Sequence, residues 1–324
     1  MSDRLVVPRP RAAPTSPTSA VAGDVVRQGV LGRYRRFGEL GAGGMAVVYL
    51  GGLEGDPRTG EPPRLVAIKR MREQYAGDPD VAAMFLDEVR LCSRVTHDNV
   101  VATLDVAQGD DDLWLVLELV EGETLSLLSK QAILGGRRVP TRVACAIAAD
   151  ILLGLHAAHE AVDENGGPLD LVHRDVSPSN VLVGIDGVTR VLDFGIAKAC
   201  GRLSQTRQGE VKGKVAYMSP EQARGLGVDR RSDVFSASVI LWELLVGRRM
   251  FSGEHDAAVL LDVLEREPTL PGAIDPKLAR FDALIARGLA RVCEARFPTA
   301  LAMVETLKRT TPVASRAEVA TWLR

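Results

Sequence analysis

A chain of 324 residues is long enough for one large domain or for two lobes, each burying a sizeable core. Its 46% hydrophobic and 25% charged content is that of an ordinary globular protein, and a net charge of -2 gives no reason to expect nucleic acid as a partner. The four cysteines, Cys92, Cys145, Cys200 and Cys293, stand far apart and read as reduced residues rather than a disulfide framework or a zinc site. No apolar run is expected to span a membrane; the longest candidate, 239–246, is broken by Glu243. With no signal-peptide h-region at the N-terminus, the expected compartment is the cytoplasm.

Residues 1–32 are rich in Pro, Ser, Thr and Arg and bury too little apolar area to offset their ordering entropy, so a disordered tail is expected. From Tyr34 the pattern turns strand-like: an apolar strand, glycines at 41, 43 and 44, then a second strand through 47–50. Glycine in such a turn lets backbone N–H groups approach phosphate oxygens closely. A Gly/Pro-rich insert, 52–64, makes a long turn before the strand LVAIKR. There Lys69 follows three apolar residues and extends its ammonium over a buried surface. Residues 80–95 carry Val81, Met84, Phe85, Val89 and Cys92 at helical spacing. Glu88 lies on or beside that apolar face and needs a cation. Lys69 is the obvious partner, and Asp87 is the competing carboxylate.

Two strands are expected at 104–108 and 113–119. Thr141, after Pro140, reads as the N-cap of a long helix through about residue 161. His156 and His159 lie on it with no third metal ligand nearby and read as ordinary helix residues. The stretch 171–195 then carries the most chemistry. Two short apolar runs, 181–183 and 190–192, flank the turn signal Asp186-Gly187, which predicts a β-hairpin. It holds His173-Arg174-Asp175 and Asn180 before one strand and Asp193 after the other. Two carboxylates and an amide at one end of a small rigid element suit Mg²⁺, which prefers a few carboxylates plus phosphate oxygens. The polar, Gly-punctuated segment 193–221 reads as a mobile loop. An all-round apolar helix at 229–247 belongs to a core. Further helices are expected at 256–266, 278–290 and 298–310, with a last amphipathic stretch, RAEVATWLR, that docks or protrudes.

HRDVSPSN followed by DFG resembles the catalytic segment of eukaryotic-type Ser/Thr protein kinases, the bacterial branch in particular. The resemblance runs from about residue 33 to 309 and implies an α+β, bilobal fold. A small β-rich N-lobe with one helix and the hinge would occupy 33–120, and a larger, mainly helical C-lobe 121–311, with 312–324 as a tail and ATP bound between the lobes. It also implies roles. Asp175 would be the catalytic base, with Asn180 and Asp193 holding Mg²⁺. Leu40, Gly41, Ala42, Gly43 and Gly44 would form the phosphate-covering loop, with Ala46 at the third glycine position and Val48 after it. Lys69 would take the α/β-phosphates and pair with Glu88. Leu117 would back the adenine pocket, Glu118 and Val120 would belong to the hinge, Val48, Ala67 and Leu182 would wall the ring, and Glu123 would reach the ribose. Ser204 and Thr206 would be phosphoacceptors whose phosphate pairs with Arg174 and Lys198. YMSPEQ resembles the motif that ends the activation loop, with Glu221 in a structural salt bridge to Arg296 and Asp233 capping the catalytic-loop backbone. ATP and Mg²⁺ are the implied cofactors, and ATP and protein substrates the partners. Nucleic acid and a membrane span are not implied, and a homodimer autophosphorylating in trans is compatible with the family.

Two positions depart from the family pattern. Ser177 stands where a lysine usually sits beside the transferring phosphoryl group, and Lys214 where a threonine is usual. Losing such a contact costs on the order of 3 kcal/mol in the barrier, roughly a hundredfold in rate. The changes are reciprocal, so Lys214 is expected to bring its ammonium into the space above Ser177 and serve the γ-phosphate and Asp175. The expected function is a Ser/Thr protein kinase that autophosphorylates on its activation loop. The alternatives are a catalytically impaired kinase fold acting as a nucleotide-binding signalling module and, more distantly, a small-molecule phosphotransferase.

Overall fold

The computed structural model describes residues 34–42, 46–55, 62, 64–72, 89, 93–108, 113–194 and 214–324. The tail 1–32, Gly43, Gly44, Asp87, Glu88, Cys92, Lys198, Cys200, Ser204, Thr206 and, of the helix expected at 80–95, all but Val89 and 93–95 lie outside the described residues; 93–94 form a turn and Val95 is not helical. The chain falls into two compact units. One contains the strands up to residue 71 together with 103–119 and 320–324, and the other contains the rest from residue 83 to 319.

In the first unit, β1 (Tyr34–Ala42), β2 (Ala46–Leu53), β3 (Arg64–Met71), β4 (Thr103–Gln108) and β5 (Leu113–Glu118) form an antiparallel sheet in the order β1-β2-β3-β5-β4. Alternation decides which face is which. Val66 and Ile68 on β3 pair in register with β5 and join Tyr34, Leu53, Trp114 and Val116 in one buried cluster, with Tyr49 and Leu104 packed against it. The Tyr34 hydroxyl donates to Asp105 at 3.1 Å, satisfying the polar tip of an otherwise buried ring. The odd-numbered residues of β3 therefore point to the opposite face.

The second unit opens with a small sheet, β6 (Gly122–Thr124), β7 (Val181–Gly184) and β8 (Thr189–Val191), in the order β6-β7-β8. The β7–β8 hairpin is the one expected from alternation and the Asp186-Gly187 turn. Gly187 has φ +78°, and a Cβ there would lie 1.8 Å from the Arg316 carbonyl oxygen, so the turn admits glycine alone. The helices of this unit are α1 (Leu125–Leu134), α2 (Thr141–His159), α3 (Pro220–Ala223), α4 (Arg230–Val246), α5 (Asp256–Glu265), α6 (Pro271–Ile274), α7 (Asp282–Gly288) and α8 (Ala300–Thr310), with α1 and α2 against the sheet, and α9 (Arg316–Leu323) runs from it into the first unit.

Helix α2 corrects two expectations. Its N-cap is Pro140, with no side-chain cap bond, and Thr141 is its first helical residue, because Pro140 already holds an extended backbone that opens the helix. It is also long and apolar enough to cross a membrane by length and composition, against the expectation that no run is. Two-thirds of that window is buried inside the protein, packed on α4 and α8, and its run of Ala, Ile and Leu serves as core. Helix α4 starts where Asp229 accepts the Arg231 N–H at 2.8 Å and stops at Gly247, φ +79°. The helix expected at 278–290 is split: a 3-10 stretch, Pro276–Phe281, precedes α7. Leu278 and Phe281, both buried and three apart, share one face of a 3-10 turn, and the Asp275 side chain caps that turn. The end of the chain forms α9. Ser315 caps it by accepting from Glu318 N–H while Glu318 accepts back from Ser315 N–H at 2.7 Å, and Val319 is buried.

Candidate active site

The segment around Asp175 makes no regular structure of its own, so its shape depends on what holds its backbone. Asp233, in the first turn of α4 and 1% exposed, supplies that hold. One oxygen accepts the His173 N–H at 2.8 Å and the other the Arg174 N–H at 2.9 Å. A buried carboxylate needs several donors, and a third comes from His159 Nε2 at 2.8 Å. His159 is thus no ordinary helix residue: it braces the residue that braces the loop. Sequence reading missed it because its partner lies 74 positions away. From the other side, Gln222 Nε2 donates to the Arg174 carbonyl at 2.8 Å while its oxygen accepts from Ser219. Held in this way, Arg174 keeps φ +66°, a left-handed conformation that costs an L-residue about 1 kcal/mol or more.

His173 links this loop to the end of β8. Its Nδ1 accepts from the Asp175 N–H, so the proton sits on Nε2, which donates to the Leu192 carbonyl at 2.7 Å. Its ring also meets the Phe194 ring at 4.8 Å between centroids. Leu192 N–H donates to the Asn180 carbonyl at 2.9 Å, and Asp193 follows in a left-handed conformation, φ +56°. Segment 99–101 completes the frame. Asn99 donates through Nδ2 to the Thr189 carbonyl, and Val100 bridges to Val191 in parallel.

On this frame Asp175 Oδ2 accepts two donors. Asn180 Nδ2 lies 2.8 Å from it, also bonding the Asp175 carbonyl, and Lys214 Nζ lies 2.6 Å from it. Lys214 comes from the segment before the 3-10 turn Val215–Tyr217. The Ser177 hydroxyl is bonded to Ser179 instead, and at 2% exposure it leaves the aspartate to the lysine. Among the described residues no group of three or more His, Cys, Asp or Glu gathers, so an all-protein metal cage is not built here. Asp175 and Asn180 side by side, with Asp193 just past the far strand of the β7–β8 hairpin, are the oxygen-rich donors expected where a cation is shared with phosphate.

Downstream, Glu221 and Arg296 meet through two parallel bonds, 2.7 and 2.8 Å, as expected. Arg296 is fully buried and spends its other N–H groups on the carbonyls of Ala290, Arg231 and Arg291. Burial alone would raise the Glu221 carboxyl. The bonds from Arg296 and Ser232, with the Arg296 charge, bring it down to about 2.

In the first unit the register aligns the other candidates. Gly41 pairs with Val48, Val48 with Lys69, Lys69 with Leu115, and Ala67 with Leu117. Val48, Ala67, Lys69 and Leu117 thus share the face opposite the buried cluster, and the stretch from Leu40 to Ala42 is exposed beside them. Glu118 ends β5, and the chain leaves this unit between Leu119 and Val120. Leu182 sits on β7 in the second unit. Glu123 bonds the backbone N–H and hydroxyl of its neighbour Thr124.

The protein kinase domain pattern matches residues 34–284. The chain is 41% identical over 281 residues to the tyrosine-protein kinase MasK of Myxococcus xanthus, covering 86% of this chain and 43% of that protein. It is 35% identical over 272 residues to the serine/threonine-protein kinase PknL of Mycobacterium tuberculosis, covering 84% of this chain and 64% of that one. Its fold matches the crystal structure of a C20A mutant of the Mycobacterium tuberculosis PknI kinase domain with a TM-score of 0.65 at 24% identity, over 91% of this chain and 99% of that chain. The chain belongs to the protein kinase family, in its bacterial eukaryotic-like serine/threonine branch. The family uses ATP and a divalent metal and acts on proteins. The chain spans 43% and 64% of the lengths of MasK and PknL.

Proposed function

We propose that this protein is a serine/threonine kinase that passes the γ-phosphoryl group of Mg²⁺-ATP to hydroxyls of protein substrates. The observation that carries the reading is the Asp175 carboxylate, held on a strained, over-braced loop with Asn180 and Lys214 on the same oxygen. Mg²⁺-ATP supplies the transferred group. Asp175 orients the acceptor hydroxyl and takes its proton. Asn180 spends Nδ2 on Asp175, which leaves its amide oxygen as an acceptor, and with Asp193 it would hold the Mg²⁺. Lys69, on the sheet face with Val48, Ala67 and Leu117, would hold the α/β-phosphates; its expected partner Glu88 lies outside the described residues. Exposed backbone at Gly41 suits close approach to phosphate. Lys214 provides the positive charge that the catalytic loop lacks at Ser177, a preorganised contact to charge developing on the transferred group.

A second acceptor class is favoured by the name of MasK, a tyrosine-protein kinase at 41% identity. Phosphoamino-acid analysis of a protein substrate after incubation with labelled ATP and Mg²⁺ separates the two. Phosphoserine or phosphothreonine, absent in Asp175→Asn, is expected. Phosphotyrosine alone would reassign the acceptor, and no transfer by the unmodified chain would leave a nucleotide-binding module.

A further inference from the structure

Beside the Asp175 loop, the second unit has a cavity of about 220 Å³ between α1, the C-terminal end of α4 and the 3-10 turn Val215–Tyr217. Pro178 and Tyr217 line it. Each is three residues from one partner of the Asp175–Lys214 bond, within about 11 Å along the chain. The floor is apolar, from buried Val139 and Leu244, with exposed Ile133 at its edge, and the rim carries Lys130, Arg137, Arg248 and Arg249.

The cations do not cancel locally. Among the described residues that line the cavity, the carboxylate is Glu243, and it is already committed. Its Oε2 takes the Tyr217 hydroxyl at 2.7 Å and Arg249, and its Oε1 takes the Met250 N–H at 3.0 Å. Lys130 and Arg137 are exposed and make no ion pair among the described residues, and Arg248 lies over the Trp242 ring. A rim holding three uncompensated cations around an apolar floor repels basic chain segments and attracts carboxylates.

We propose that this cavity docks an acidic stretch of the protein substrate beside the accepting hydroxyl, so that the enzyme prefers acceptors flanked by Asp or Glu. This rests on the kinase reading for its placement next to the acceptor. The binding it asserts does not need catalysis to be observed. Lys130 and Arg137 steer and hold the acidic side chains, while the apolar floor takes the stems between them. The Tyr217–Glu243–Arg249 cluster fixes one wall.

The test uses the full chain and labelled peptides with one serine and flanks of Glu, Gln or Lys, read by anisotropy and by initial rates with Mg²⁺-ATP. The Glu peptide is expected to bind roughly tenfold tighter than the Gln peptide, an advantage that fades from about 50 to about 500 mM salt. In the double variant Lys130→Glu with Arg137→Glu, the KM for the Glu peptide rises about tenfold while the Gln peptide keeps its kcat and KM. Both positions are exposed and outside the catalytic machinery, and the salt series on the unmodified chain needs no variant at all. Equal binding of Glu and Gln peptides, or a preference that survives charge reversal, overturns the proposal. A chain that prefers the Glu peptide yet transfers no phosphate supports the docking surface and counts against the kinase reading.

Discussion

Asp175 and Lys214 come from separate stretches of chain, and neither is useful unless both are held. At 2.6 Å the ammonium is ion-paired with Oδ2 of the carboxylate, and on the proposed reading the other oxygen takes the substrate proton. Lys214→Ala is expected to lower kcat roughly a hundredfold with little change in the KM for ATP. Ser177→Lys combined with Lys214→Thr returns the cation to the catalytic loop and should recover most of that loss. If Lys214→Ala turns over at the unmodified rate, the lysine is a bystander. The Glu221–Arg296 pair makes a different prediction, in stability. Its carboxyl is held at about 2, below its ordinary 4.5, so it contributes stability that is full above about pH 4.5 and is lost as pH falls toward 2. Glu221→Ala leaves a fully buried guanidinium without its counter-ion and should cost about 3–5 kcal/mol at neutral pH, measured by denaturant unfolding.

At the scale of elements, the β7–β8 hairpin and helix α4 position the site, the hairpin turning and the helix stopping at a left-handed glycine. Gly187→Ala meets both an unfavourable φ and the Arg316 carbonyl. A loss of about 1–3 kcal/mol is expected, visible as a lowered Tm. The hairpin carries Asn180 and Leu192 at its ends, so the same variant should also weaken transfer more than its stability loss alone predicts at a temperature where it is fully folded. Helix α4 is buried on nearly every side, which lets it hold a charged Asp233 in its first turn without solvent competing for the carboxylate.

On the scale of the whole molecule, the second unit is built on α2 and α4, and Cys145 sits in the second turn of α2 with no exposed surface. Burial pushes its thiol up to about 12, so the reactive thiolate is absent in the fold at neutral pH. Labelling of Cys145, followed by peptide mass spectrometry against denaturant, should appear only with the global unfolding transition. Early labelling would mean that α2 opens on its own.

Periodicity and short-range chemistry made much legible in the sequence alone. The β7–β8 hairpin, β4 and β5, the start and stop of α4 and the kinase family itself all follow from patterns a few residues long, where alternation, caps and turn residues act locally. The motifs HRDVSPSN and DFG fix which residue types stand near one another, because each lies within one short element. Other features depended on the fold. His159 reaches Asp233 and Gln222 reaches the Arg174 carbonyl, each across tens of residues, and no local spacing encodes such meetings; the reach of Lys214 to Asp175 is legible only through the reciprocal departures from the family pattern at 177 and 214. The fold likewise decided that the apolar stretch of α2 is a core helix, because burial against α4 and α8 is a property of neighbours and composition is the same in either setting.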